Sequence, residues 1–189
     1  MGTTQPIRNK DTIQKIKDYL CNKNYRDYLL FTVCVNTALR IGDVLNLKWE
    51  DLYDFDTRTV KKHIIITEQK TKKKNTIALN SSIIEAIGTY IAHKDIHRGN
   101  FVFQSRKGAN RPISRYRAYV IFQNTANILR IEKFSCHSLR KTFGYHAWKL
   151  NVSSALLTEI YNHSSFSITK KYLGIVQDDK DSVYNMNIL

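Results

Sequence analysis

Residues 25–38, YRDYLLFTVCVNTA, form a mostly apolar helical stretch, and this limits the fold more than any other feature. A helix with so little polar surface has to be buried against other elements rather than laid on a surface. No apolar run in the chain approaches the roughly 18–20 residues needed to span a membrane, so the covering must come from protein. The 189 residues supply one globular domain with a real core and little more.

The flanking segments predict an α+β fold that is mainly helical. Asp11 and Gln14 have capping-box spacing ahead of Ile13, Ile16, Tyr19 and Leu20. After residue 49 the periodicity changes. Strand signals cover residues 52–55, a turn falls at Asp56-Thr57-Arg58, and residues 62–67 contain three successive isoleucines. A basic turn, Lys70 through Asn75, leads into residues 76–79, so the expectation is a small three-stranded antiparallel sheet. Ser82 and Glu85 repeat the capping-box spacing before Ile83, Ile84, Ile87, Tyr90 and Ile91. Ser114 is placed to cap a helix reaching Arg130. Residues 137–150 read as a helix with Leu139, Phe143, Ala147 and Leu150 on its apolar face, followed by short helices at 154–161 and 169–173.

Charge narrows the function. Thirty Lys and Arg against sixteen Asp and Glu give a formal net charge of +14. A field of that sign favours a polyanion, and without a basic amphipathic helix bearing exposed aromatics the expected partner is nucleic acid. Residues 1–10 are polar and do not read as a secretory signal. Three cysteines without C-x-x-C spacing point to a reduced, cytoplasmic setting. No phosphate-binding glycine pattern occurs among the seven glycines. His93 and His97 have zinc-compatible spacing but no third ligand nearby, so they read as solvated side chains, and no metal or other cofactor is expected.

Two C-terminal patterns carry chemistry. His137-Ser138-Leu139-Arg140 puts an imidazole and a guanidinium on one helical face. Downstream, His163-Ser164-Ser165-Phe166-Ser167-Ile168-Thr169 leads through Lys170-Lys171 to Tyr172. Each is weak alone. In order with Ala38-Leu39-Arg40-Ile41-Gly42-Asp43 and a hairpin lysine, they make the chain resemble the catalytic domain of tyrosine recombinases, closest to phage and mobile-element integrases.

The resemblance implies a site-specific recombinase that cuts and rejoins DNA through a 3′-phosphotyrosyl link at Tyr172, without metal or ATP. Arg40 and Arg140 would clamp the scissile phosphate. Lys70 would protonate the leaving 5′ oxygen, with Lys72, Lys73 and Lys74 as competitors for that role. His137 would handle the tyrosine proton, His163 would donate to a phosphate oxygen, and Asp43 would support Arg40. The chemistry is coherent on elementary grounds. Arginines stay charged and donate paired hydrogen bonds to non-bridging oxygens. A phenol becomes a useful nucleophile only beside a base or a cationic pocket.

The chain departs from the commoner pattern at Asn162, where glycine is frequent, at Thr71 after the lysine, and at Lys141 after Arg140. Most members of that family carry an additional N-terminal helical domain, whereas the first element here reads as the catalytic domain's own, so the chain is expected to be either naturally short or an excised domain. Residues 1–177 read as catalytic, and 178–189 as an acidic tail that docks in cis or trans. Double-stranded DNA is the expected partner, met through Lys72, Lys73 and Lys74 and through Arg111, Arg115 and Arg117. Self-association on DNA and accessory DNA-bending proteins are further implied partners. The competing readings are a catalytically silent DNA-binding regulator and a type IB topoisomerase.

Overall fold

The computed structural model describes residues 4–173 and 184–185. Helices α1 (Lys10–Lys23), α2 (Tyr25–Thr37), α3 (Ile41–Leu45) and α4 (Trp49–Leu52) precede strands β1 (Tyr53–Asp54), β2 (Thr59–Val60), β3 (His63–Thr67) and β4 (Lys74–Ala78). Helices α5 (Ser81–Ile91), α6 (Arg115–Leu129), α7 (Cys136–Lys149), α8 (Ser154–Ile160) and α9 (Phe166–Leu173) complete the described chain. The mainly helical α+β class is as expected.

Helix α2 is the buried centre that its composition requires. Leu29, Leu30, Phe31 and Val33 are wholly inaccessible, and α1, α5 and α7 pack around the helix. Asn24 makes the corner into it. Its backbone N–H closes α1 on Leu20, while its side chain accepts from the backbone N–H groups of Arg26 and Asp27. At the far end Ala38 adopts a left-handed conformation (φ 56°), stops α2 and turns the chain so that Arg40 caps α3. A left-handed alanine is strained, and such strain persists only where surrounding contacts enforce it.

The single three-stranded sheet is not what forms. The strands make two separate antiparallel pairs, β1 with β2 and β3 with β4. The cause lies at Lys61-Lys62. Lys61 N–H extends the first ladder by donating to Leu52, and the Lys62 carbonyl extends the second by accepting from Leu79, so the two pairs follow in series instead of side by side. Residues 49–52, partly assigned to a strand from sequence, are helical. Both early caps also shift. Asn9 rather than Asp11 caps α1, and Asn80 rather than Ser82 caps α5. Ser114 caps α6 as anticipated. On α7, Leu139 reaches the core, but Leu150 is 74% exposed, because the helix ends before it and its apolar stripe has nothing left to cover. The acidic tail at 178–189 lies outside the described residues except for 184–185.

Candidate active site

The strained turn at Ala38 begins the site. Arg140, on the first turns of α7, is only 3% exposed, and its Nη1 donates to the Ala38 carbonyl. Its Nη2 donates to the Tyr161 carbonyl at 2.9 Å. The guanidinium lies against two neighbouring rings, with Cζ 4.5 Å from the Tyr161 centroid and 5.5 Å from that of Tyr172, the two centroids being 5.2 Å apart. Such anchoring fixes the plane of the arginine rather than leaving it to solvent. Its Nε has no hydrogen-bond partner among the described residues.

Tyr172 is thus part of a packed cluster. Its ring centroid stands 5.0 Å from that of His137, edge to face, and 5.0 Å from that of His163. Burial pushes the His137 imidazole below its ordinary range, with smaller contributions from Lys141, Arg140 and Arg40, which favours the neutral, proton-accepting ring. His163 is pushed down to about 4 by burial first, then by Arg140 and Arg40. Its Nδ1 lies 3.0 Å from the Thr169 hydroxyl, and its Nε2 is 3.5 Å from Arg140 Nη2. Thr169 in turn reaches Thr158 at 3.1 Å. Thr169 gives its one hydroxyl proton to Thr158, which donates on to the Ser154 carbonyl, so Thr169 accepts from His163 Nδ1–H and fixes that tautomer.

Arg40 enters from the start of α3. Its Nη1 forms a 2.5 Å ion pair with Glu68, a carboxylate 1% exposed. Asp43 is buried as well. Its Oδ1 accepts from the backbone N–H of Gln69 at 2.8 Å and pins the base of the lysine turn, while its own backbone N–H donates to the Arg40 carbonyl at 2.9 Å. Lys70 is exposed at that turn and has no hydrogen-bond partner among the described residues. An open cleft of about 570 Å³ is lined by Arg40, Asp43, Lys70, Arg115, His137, Arg140 and Tyr172, among others.

The DNA-contact candidates divide. Lys72, Lys73 and Lys74 are exposed and line no part of this cleft, nor do Arg111 and Arg117. Arg115 does. Its guanidinium lies across Gly42, where an added Cβ would sit 3.0 Å from Cζ, and its Nη2 reaches Gln69 Oε1 at 3.3 Å. Lys141 turns away and donates to the Thr4 carbonyl at 2.7 Å. His93 stacks on Tyr25, with centroids 4.1 Å apart.

Three supporting residues escape a reading by sequence. Tyr161 is fully buried, stacks under His163 at 5.1 Å and donates its hydroxyl to the Arg140 carbonyl at 2.7 Å. Gly144 faces it, and an added Cβ there would overlap the Tyr161 hydroxyl. Glu68 joins the hairpin to Arg40 and to Asn162. The chain directions that produce these contacts leave no local pattern, although Glu68 beside a hairpin lysine and Tyr161 two residues before His163 are the signals that could have prompted them.

Comparison with known proteins agrees with this geometry. Residues 8–177 match the model of the phage integrase family. The chain is 41% identical over 186 residues to the probable integrase/recombinase YoeC of Bacillus subtilis (strain 168), covering 98% of each. It is 29% identical over 174 residues to a tyrosine recombinase of Pseudothermotoga lettingae, covering 92% of this chain and 57% of that one. Its fold matches the XerH site-specific recombinase bound to its palindromic difH substrate in a post-cleavage complex, with a TM-score of 0.77 at 18% identity, covering 98% of this chain and 54% of that one. The chain therefore spans little more than half the length of these two longer recombinases. With the family model matching from residue 8 to 177, the chain belongs to the phage integrase family, the tyrosine-type site-specific DNA recombinases.

Proposed function

We propose that this chain cleaves and rejoins double-stranded DNA, with Tyr172 as nucleophile. The observation that carries the reading is the convergence of Tyr172, His137, Arg140, Arg40 and Lys70 on one cleft within a single chain. Tyr172 Oη attacks the scissile phosphorus and forms the P–O(Tyr) bond as the P–O5′ bond breaks. The phenolic proton passes to neutral His137, and the Lys70 ammonium supplies a proton to the departing 5′ oxygen. Arg40 and Arg140 bind the non-bridging oxygens, where charge builds in the transition state. The partnerless Arg140 Nε supports this, since a buried unpaired donor is costly and an anion would satisfy it. His163, its Nδ1–H given to Thr169, joins them through Nε2–H once the negative charge of the bound phosphate protonates the ring.

The products are a 3′-phosphotyrosyl link and a free 5′ hydroxyl. Attack by a 5′ hydroxyl from another duplex reverses the step on a new partner, so the energy of the phosphodiester is conserved. The site lies in a chain with no helix, among the described residues, long and apolar enough to cross a membrane. Three free cysteines support a reducing, cytoplasmic setting beside DNA.

The test uses nicked duplexes tiled across the DNA that flanks the chain's own gene, each designed to release a short fragment on cleavage and so trap the adduct. The wild-type protein should form a covalent adduct on one of them, and Tyr172→Phe should bind that duplex without forming it. Adducts that survive Tyr172→Phe would remove the nucleophile assignment. DNA binding with no adduct from the wild type would leave a silent DNA-binding regulator as the better reading.

A further inference from the structure

Among cations gathered for a phosphate, the most buried charged side chain is an acid. Glu68 is 1% exposed, against 3% for Arg140. It follows β3 directly, and its backbone closes the lysine turn, donating to the Lys73 carbonyl at 3.0 Å and accepting from Lys72 N–H at 2.9 Å. Its carboxylate then reaches four segments. Oε2 takes Arg40 Nη1 at 2.5 Å and the Thr71 hydroxyl at 3.4 Å, while Oε1 takes Asn75 Nδ2 at 3.0 Å and Asn162 Nδ2. A carboxylate has about four lone-pair sites, and all are occupied.

Asn162 makes this arrangement specific. It sits in the left-handed region (φ 52°), immediately before His163. Glycine adopts that conformation most easily and asparagine next. Only asparagine adds an amide that can reach the acid. One buried carboxylate thereby touches the arginine at the start of α3, lies two residues from Lys70, and holds the turn that delivers His163.

We propose that Glu68 is a positioning residue that sets Arg40, Lys70 and His163 at their working separations before DNA arrives. It occupies one nitrogen of the Arg40 fork and so orients the remaining N–H groups for the phosphate. It also offsets one positive charge in a site that would otherwise be crowded with them. The proposal rests on the recombinase reading above.

Two substitutions in the full chain test it on the same tiled nicked duplexes. Asn162→Gly keeps the backbone conformation and removes one bond to Glu68; its single-turnover adduct rate should fall by about tenfold. Glu68→Gln removes the charge; its rate should fall by about 100-fold, the scale expected when reacting groups shift by about 1 Å. Its affinity for duplex DNA should hold or rise, with the salt slope steeper by about one ion. A merely structural residue would lose rate only in proportion to unfolding, so rates are taken well below each variant's melting temperature. Wild-type adducts with both variants at the wild-type rate, or losses that disappear at low temperature, would overturn this proposal alone. No adduct from the wild type would overturn the recombinase reading and this proposal with it.

Discussion

The Tyr172 ring lies over the Arg140 guanidinium, its centroid 5.5 Å from Cζ, while the Tyr161 ring covers the arginine at 4.5 Å. Tyr172, Tyr161 and Arg140 are therefore parts of one cluster, the two ring centroids 5.2 Å apart, and the same arginine holds the strained Ala38 turn that launches Arg40. Placement of the two arginines is mutual: moving one disturbs the other through a single carbonyl.

Arg140→Lys tests that coupling. An ammonium cannot reach the Ala38 and Tyr161 carbonyls together while facing the cleft, so a buried acceptor loses its partner. The expected cost is about 2 kcal/mol in stability. Adduct formation should fall on the order of 100–1000-fold, because a preorganised donor to the transition state is lost. Denaturant unfolding and single-turnover cleavage measure the two effects separately, and a fully stable but inactive variant would show that the carbonyl contacts are incidental.

His163 gives stability a pH dependence of defined sign. Its folded value of about 4 lies below the ordinary 6.5, so the unfolded chain binds more protons between those limits. The contribution is complete above about pH 6.5 and is lost as the pH falls toward 4. His163→Gln should flatten the stability profile over that window relative to the wild type. Parallel profiles for the two proteins would contradict the assignment.

How much of this was legible beforehand depended on the range of the interactions. The helix centred on Phe31 is visible because a run of apolar residues has only one place to go. Arg40, His137, Arg140, His163 and Tyr172 stand out because their short patterns, each weak alone, occur in the order that makes the chain resemble a known family. Glu68 does not, since its burial rests on partners 28 and 94 residues away, and an isolated Glu beside lysines reads as solvated. The divided sheet was hidden for a related reason: two strand pairs in series and one meander have the same sequence periodicity. The helix starts were misplaced by local competition, because Asp11-Gln14 and Ser82-Glu85 fit a capping box while Asn9 and Asn80, just upstream, do the capping.

Lys70 lines the cleft and Lys72, Lys73 and Lys74 do not, so the proposed mechanism assigns the general acid to Lys70. Lys70→Ala should therefore slow cleavage of ordinary DNA on the order of 100-fold or more. A substrate with sulfur at the bridging 5′ position leaves as a thiolate and needs no proton, so the same variant should cleave it at nearly the wild-type rate. Equal defects on both substrates would assign Lys70 to binding instead.

Gly144 marks a tight approach behind Tyr172. An added Cβ would overlap the Tyr161 hydroxyl and stand 3.2 Å from the Tyr172 carbonyl oxygen. Gly144→Ala should destabilise the protein by about 1–3 kcal/mol and slow cleavage by displacing α9. Adding Tyr161→Phe removes the clashing oxygen, so the double variant should recover part of the loss, a coupling visible in a double-mutant cycle. Strict additivity would place the strain elsewhere.

Arg115 and Arg117 separate two ways of meeting DNA. Arg117 is exposed on α6, away from the cleft, whereas Arg115 folds over Gly42 toward Gln69 and lines the cleft beside Arg40. Each neutralised phosphate contact should lower the slope of log affinity against log salt by about 0.9, whatever the DNA sequence, so the two single Gln variants should look alike in binding and the double variant should lose about twice as much slope. Cleavage should distinguish them. Arg115→Gln removes a cation from the cleft that takes the scissile phosphate in the proposed mechanism and should reduce the adduct rate at saturating DNA, while Arg117→Gln should leave that rate close to the wild-type value. Equal rates for the two variants at saturation would place Arg115 on a flanking phosphate, and an unchanged slope for both would remove this face of α6 from the DNA interface.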